Sequence, residues 1–192
     1  MCMVQKRNKY ILIVGFVIIL FNMPFRAIAT DFYCVPQEIS LPYPGMLSNS
    51  PFYVVKKIRD KILKQFISRF DKKLEYYLFE SKKNFAEMLI HNQKKNEAYV
   101  VSSGLRSGNY LTLFVSTYHH MAMSDVSIQN KLVCDFYSVI EFQIKKYTEI
   151  IAIMEDSELK KQLISIVEQL QLNKVGFDNL LTTMNSKRIM YE

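Results

Sequence analysis

The chain has little of several residue types whose abundance defines other protein classes. Its 192 residues include only five glycines, five prolines, three cysteines and three histidines, whereas 49% are apolar and 13% aromatic. Glycine and proline are scarce and apolar residues are abundant. This composition argues against disorder and indicates an ordered, helix-rich globular protein. The length is enough for one domain with a sizeable core, with or without a targeting segment.

Recognisable catalytic signatures are also missing from the sequence. It contains no glycine-rich phosphate-binding loop after a strand, no H-E-x-x-H, no C-x-x-C and no G-x-S-x-G motif. Of the three histidines, His91 ends the second predicted helix and the other two lie at the far end of the third. These two ends are about 30 Å apart, which excludes a three-histidine metal site within one chain. The sequence therefore predicts a protein that is not an enzyme and needs no cofactor.

The first 29 residues have the three-part layout of a secretory signal peptide. Lys6, Arg7 and Lys9 form a basic start, an uncharged apolar run covers residues 10–23, and an A-x-A box at 27–29 precedes the predicted cleavage site. The apolar run is shorter than the about 20 residues that a membrane span needs. The sequence thus predicts export to the cell envelope or beyond. The alternative is an uncleaved anchor, which would be the chain's only membrane contact.

The formal charge of +7 is mostly a property of this signal. Residues 1–29 hold four basic and no acidic residues, so the remainder has 21 basic and 18 acidic residues and a net charge of +3. Nucleic acid is therefore not a predicted partner. A basic cluster on the first predicted helix could contact anionic lipid headgroups or cell-wall polymers, or could be a solvated face with interleaved acids. Its members are Lys56, Lys57, Arg59, Lys61 and Lys64.

Apolar residues recur with helical spacing beyond residue 50. The pattern predicts five helices near residues 51–67, 72–92, 97–123, 127–154 and 157–184. Short connections between long helices favour antiparallel neighbours, so the expected fold is an all-α, up-down antiparallel bundle of about five helices. The expected organisation is a signal peptide at 1–29, an extended Pro-rich arm at 30–49, the bundle at 50–186 and a frayed tail at 187–192. The first helix is expected to bury one stripe against the others: Phe52, Val55, Ile58, Ile62 and Phe66.

The segment before this helix carries turn and cap signals. Pro44 holds the chain extended and Gly45 allows a sharp turn. Ser50 is a suitable N-cap residue, and Pro51 suits the first helical position, where a missing N–H costs nothing. We therefore expect α-helix from residue 51 onward.

Two glycines lie four residues apart inside the third predicted helix. Each of Gly104 and Gly108 costs about 1 kcal/mol relative to alanine in a helix interior. Their shared face suggests that close approach of a neighbouring backbone offsets this cost. A helix break near Gly104 is the competing interpretation.

Cysteine and histidine leave two questions open. Cys34 and Cys134 could form a disulfide in an oxidising compartment, or could be two independent thiols. His119 and Met123 share a helical face, and Cys134 could lie near them. Imidazole with soft sulfur suits copper(I) or zinc. The simpler interpretation gives a solvated histidine and a methionine in the core.

The segment from residue 41 to 62 reads LPYPGMLSNSPFYVVKKIRDKI. It resembles the opening motif of a bacterial domain-of-unknown-function family of predicted exported proteins, roughly L-P-Y-P-G-(I/L)-L-P-(D/N)-(S/H)-P-x-Y-x-x-K-x-x-R-(D/E). The resemblance extends to residue 112. Within this stretch Asp71 and Glu87 stand at matching places, whereas Ser48 replaces the usual proline. It implies an extracytoplasmic helical domain without an assigned activity, and it supplies no catalytic residues.

Two functions follow as hypotheses. The first is a non-enzymatic, envelope-associated interaction or scaffold module whose partner is a protein or an envelope component. The alternative is an extracytoplasmic metal-responsive or chaperone-like protein that uses the region of His119, His120 and Met123. An exposed apolar patch well above a few hundred Å² would favour partner or client binding over a spacer role. The sequence does not indicate an oligomeric state.

Overall fold

A computed structural model describes Cys34 and residues 38–122, 130–155 and 157–191, with the backbone alone for Ala122 and for residues 185–191. Within these ranges the chain forms five α-helices and no β-strand, which confirms the all-α prediction. None of these helices is long and apolar enough to cross a bilayer. The predicted signal peptide and Met123 lie outside the described residues. The helices are α1 (Tyr53–Phe66), α2 (Phe70–Gln93), α3 (Glu97–Ala122), α4 (Asn130–Ala152) and α5 (Glu158–Tyr191).

Helices α2 to α5 form a four-helix bundle made of two helical hairpins. Within each hairpin, α2 with α3 and α4 with α5, the helices run antiparallel. Between the hairpins α3 packs on α5 and α2 packs on α4. Both of these pairs run parallel: Gly104 lies against Ile166, and Gly108 lies against Leu170 one turn further along. Sequential helices therefore alternate in direction, as predicted, while the two hairpins meet through parallel neighbours.

The bundle core combines aromatic stacking with a small buried polar network. The ring centroids of Phe114 and Phe136 are 4.8 Å apart, and Phe177 from α5 lies 4.4 Å from Phe136. Further along the axis, Ser107 Oγ donates to Gln143 Oε1 at 2.9 Å. These groups are fully or almost fully buried. The core is thus complete without α1.

Helix α3 is continuous through both of its glycines, so a break near Gly104 is the wrong interpretation. A Cβ atom at Gly104 would lie 2.9 Å from Tyr147 Oη and 3.2 Å from Ile166 Cδ1. The close approach comes from neighbouring side chains and not from a backbone. At Gly108 a Cβ atom would meet only ordinary contacts, at 3.8 Å and beyond.

The described part of the arm before α1 has no regular secondary structure and packs on the bundle. Gly45 has φ +72°, which confirms the expected turn. Ile39 and Leu41 contact the core, and Pro44 is buried. Residues 50–52 form a turn, so α1 begins two residues later than expected, and no side chain caps it. At the other end α5 continues to Tyr191, into the tail that the sequence predicts to fray.

Candidate functional site

The apolar face of α1 points away from the bundle. Ile58 is 56% exposed and Phe66 is 80% exposed, although both belong to the stripe expected to pack inward. That prediction is wrong for the first helix. The outward surface, which we call the α1 apolar face, also includes residues beyond the predicted stripe. It consists of Phe52, Val54, Val55, Ile58, Ile62, Leu63 and Phe66.

The opposite side of α1 approaches the bundle through polar side chains. Lys56 is buried, and its ammonium donates to the carbonyl oxygens of Pro44 at 3.2 Å and Met46 at 2.8 Å. The Lys56 Nζ atom also lies 3.7 Å from Glu87 Oε2. Burial lowers the pKa of Lys56, and the Glu87 carboxylate opposes this shift. Lys56 is therefore not part of a basic surface, contrary to the sequence prediction.

Glu87 is the centre of this attachment. Its carboxylate is fully buried and accepts a hydrogen bond from the Ser48 backbone N–H at 2.6 Å. Besides Lys56, it faces Arg106 Nη2 at 3.5 Å and His91 Nε2 at 3.6 Å. We call these five residues the Glu87 cluster. They come from the arm, α1, α2 and α3, so one carboxylate joins four segments of the chain.

The rest of the cluster is held by its own contacts. The His91 ring stacks on Tyr99 at a centroid distance of 5.0 Å, and its Nε2 lies 3.2 Å from Ser48 Oγ. Arg106 donates to Ser103 Oγ at 2.9 Å and to the hydroxyl of Tyr53 on α1. These partners fix the buried charges in place. The arrangement is suited to fastening the arm and α1 to the bundle.

The spacing of Glu80 and Glu87 from Lys83 on one helix predicts exposed ion pairs. Both glutamates are buried. Glu80 does pair with Lys83, at 3.2 Å, whereas Glu87 does not. The available signal was the predicted resemblance, in which Tyr53, Lys56 and Glu87 stand at matching places. A pattern of letters does not show that these positions meet in space.

A cleft of about 340 Å³ lies between α1 and the α2–α3 hairpin. The remaining members of the predicted basic cluster have separate environments. Lys57 and Lys61 are exposed and Lys64 is half-buried, and all three line the cleft. Arg59 is exposed and donates two hydrogen bonds to Asp60, at 3.0 and 2.6 Å. The cleft therefore has a cationic wall on α1.

Of the predicted metal ligands, the structure describes His119 and Cys134. His119 is exposed near the end of α3, and its ring centroid lies 6.0 Å from that of His120. Cys134 is joined to Cys34 in a disulfide with a Cα–Cα distance of 5.1 Å, which removes the thiolate that a metal site would use. Throughout the described ranges, no group of three or more histidine, cysteine, aspartate or glutamate residues is placed to hold a metal ion. Of the two possibilities left open for the cysteines, the structure contains the disulfide.

No family model, curated protein or solved structure matches this chain. The resemblance of residues 41–112 to an exported family stays a prediction.

Proposed function

We propose that the protein is an exported, non-enzymatic interaction module of the cell envelope that docks through the α1 apolar face. The observation that carries this proposal is the outward orientation of that face. Its seven side chains are between 48% and 80% exposed. Together they form an apolar surface on the order of several hundred Å², a size that marks interaction sites on soluble proteins.

Two features support an extracytoplasmic location. The Cys34–Cys134 disulfide is of a kind that persists in oxidising compartments and is rare in the cytosol. The sequence before it has the layout of a secretory signal. Neither feature depends on the α1 apolar face, so export and docking are separate parts of the proposal.

The occupant that best fits this face is a bilayer surface containing anionic lipids. Amphipathic helices that lie in the membrane interface combine an apolar face with lysines or arginines on the polar side. In α1, Lys57 and Lys61 lie on the polar side and are exposed to solvent. Each basic residue near an anionic surface contributes about 1 kcal/mol. The lysines would lie near the headgroups while residues such as Ile58 enter the apolar boundary.

Vesicle co-sedimentation tests this proposal on the chain from Thr30 onward, which contains the whole compact unit from Cys34 to Glu192. We expect the protein to sediment with phosphatidylglycerol vesicles and less with neutral phosphatidylcholine vesicles. Ile58→Glu should abolish sedimentation. The matched control is Leu172→Glu, because Leu172 is 72% exposed on α5, away from this face.

Absence of binding to any vesicle, or equal loss in both variants, would overturn the bilayer as the occupant. The sequence places the chaperone-like alternative at the region of His119, His120 and Met123, and the α1 apolar face offers it a second surface. A chaperone-like function on this face would replace the bilayer proposal if an unfolded polypeptide, and not vesicles, bound in an Ile58-dependent way. Binding that survives Ile58→Glu in every assay would remove the α1 apolar face from the function.

A further inference from the structure

The cleft behind α1 has an unusual balance of charges. Two carboxylates line it, Asp60 and Glu80, and both already have cationic partners. Asp60 accepts from Arg59 at 2.6 Å, and Glu80 lies 3.2 Å from Lys83. The acidic groups of the cleft are therefore neutralised by residues outside its lining.

Three of the lysines that line the cleft are not neutralised in the same way, whereas the fourth, Lys56, pairs with Glu87. In the part of the chain that the structure describes, no carboxylate lies within ion-pair distance of Lys57, Lys61 or Lys64. Instead, Lys57 Nζ lies 5.3 Å from the centroid of the Tyr53 ring, and Lys64 Nζ lies 5.4 Å from that of Tyr77. Three lysines thus line one cleft without an ion-pair partner among the described residues.

Arg106 adds a guanidinium from the opposite wall. Its Nη atoms contact Tyr53, Ser103 and Glu87, but its Nε is buried and has no hydrogen-bond partner among the described residues. Asn109 lines the same wall. A guanidinium, ammonium groups and an amide are donors that bind phosphate oxygens.

We propose that this cleft is a binding site for a phosphate group. Its volume of about 340 Å³ is larger than a bare phosphate needs and lies at the lower end of the roughly 300–1,000 Å³ of ligand pockets. It therefore suits phosphate with a small substituent, such as the glycerol phosphate of a lipid headgroup, as well as the free ion. The proposal goes beyond the docking function because its site is the cleft and not the α1 apolar face, although Lys57 and Lys61 take part in both.

Isothermal titration calorimetry at constant ionic strength tests the site, again on the chain from Thr30 onward. The probes are inorganic phosphate, glycerol phosphate and short-chain phosphatidic acid below its micellar concentration, with chloride as the reference. We expect saturable binding that weakens at least tenfold in the double variant Lys57→Gln, Lys61→Gln. The matched control is Lys131→Gln, Lys145→Gln on α4, which removes the same charge from exposed positions.

The outcomes separate the sources of phosphate and the two proposals. Tighter binding of phosphatidic acid would identify a lipid headgroup, equal affinities would identify soluble phosphate, and either supports the site. Equal weakening in both double variants would show a non-specific charge effect and overturn it. Failure of the protein to bind any probe saturably would also overturn it. Since inorganic phosphate involves no bilayer, that failure would leave docking through the α1 apolar face standing.

Discussion

Replacing Glu87 by glutamine should detach the arm and α1 from an otherwise intact bundle. The substitution keeps the shape of the side chain but removes the only negative charge of the Glu87 cluster. Lys56 and Arg106 lie 3.7 and 3.5 Å from this carboxylate. At an effective dielectric constant of 20, each attraction amounts to about 4–5 kcal/mol before desolvation is counted.

The net loss of stabilising free energy is smaller than these attractions, because removing the charges from water also costs free energy. Breaking a buried ion pair by removing one partner typically destabilises by about 3–5 kcal/mol. Here the loss should act locally, because the α1 apolar face contributes little burial that could hold the helix in place. Since 1.4 kcal/mol corresponds to a factor of ten, a loss of 3 kcal/mol should speed opening of α1 about a hundredfold.

Native-state hydrogen exchange measures this effect segment by segment. Amides of α1 should exchange about a hundredfold faster in Glu87→Gln, while those of α4 and α5 keep their wild-type rates. The control is Glu141→Gln, because Glu141 pairs with Lys174 at 2.7 Å but is 55% exposed. Such surface pairs contribute about 0–1 kcal/mol. Unchanged exchange of α1 in Glu87→Gln would refute the role assigned to the Glu87 cluster.

Three further predictions concern the bundle and the Cys34–Cys134 disulfide. In urea unfolding, Gly104→Ala should lower the free energy of unfolding by about 1–3 kcal/mol because the new methyl group collides with its neighbours. Gly108→Ala has room for the methyl group and should raise the free energy of unfolding by about 0.5–1 kcal/mol. The double variant Cys34→Ser, Cys134→Ser removes the disulfide between residues that are 100 positions apart in the sequence. It should lower the free energy of unfolding by about 2–5 kcal/mol. Burial raises the pKa of Tyr118 from 10.0 to about 12, so the folded state favours the neutral phenol and stability should fall as pH rises from about 10 to about 12. Tyr118→Phe should lack that part of the alkaline decrease.

Most of the fold could be predicted from the sequence because burial in a bundle imposes a helical period. The stripe of α4 is an example: Leu132, Phe136 and Ile140 are spaced four apart, and all three are buried. Helix bounds also agree within a few residues for α1 to α4. Local spacing is enough for this level of description, since one face of each of these bundle helices must meet the others.

The orientation of α1 could not be predicted in the same way. Periodicity shows that Val55, Ile58 and Ile62 share a face, but it does not show which neighbour that face meets. The surface of the α2–α3 hairpin next to α1 contains the Glu87 carboxylate and Arg106, so it attracts the polar side of the helix. The orientation of α1 thus depends on Glu87 and Arg106, which lie about 30 and 50 positions after Lys56 in the sequence. A pattern within α1 contains no information about them.

The Glu87 cluster was missed for a related reason. A glutamate three or four residues from a lysine on a helix predicts a solvated pair. Glu80 does pair with Lys83, at 3.2 Å, but both side chains are buried. Glu87 differs because the arm folds over it and Ser48 covers its carboxylate. Burial by a segment without regular structure leaves no periodic signal in the sequence.

Hydroxyl-radical footprinting of the unmodified protein tests the central claim most directly, since it reports the exposure of individual phenylalanines. Phe52 and Phe66 of the α1 apolar face are 66% and 80% exposed, whereas Phe85 on α2 and Phe136 on α4 are fully buried. We predict rapid labelling of the two exposed rings and protection of the two bundle rings. Protection of Phe52 and Phe66 to the level of Phe85 in dilute protein without lipid would contradict the outward orientation of α1.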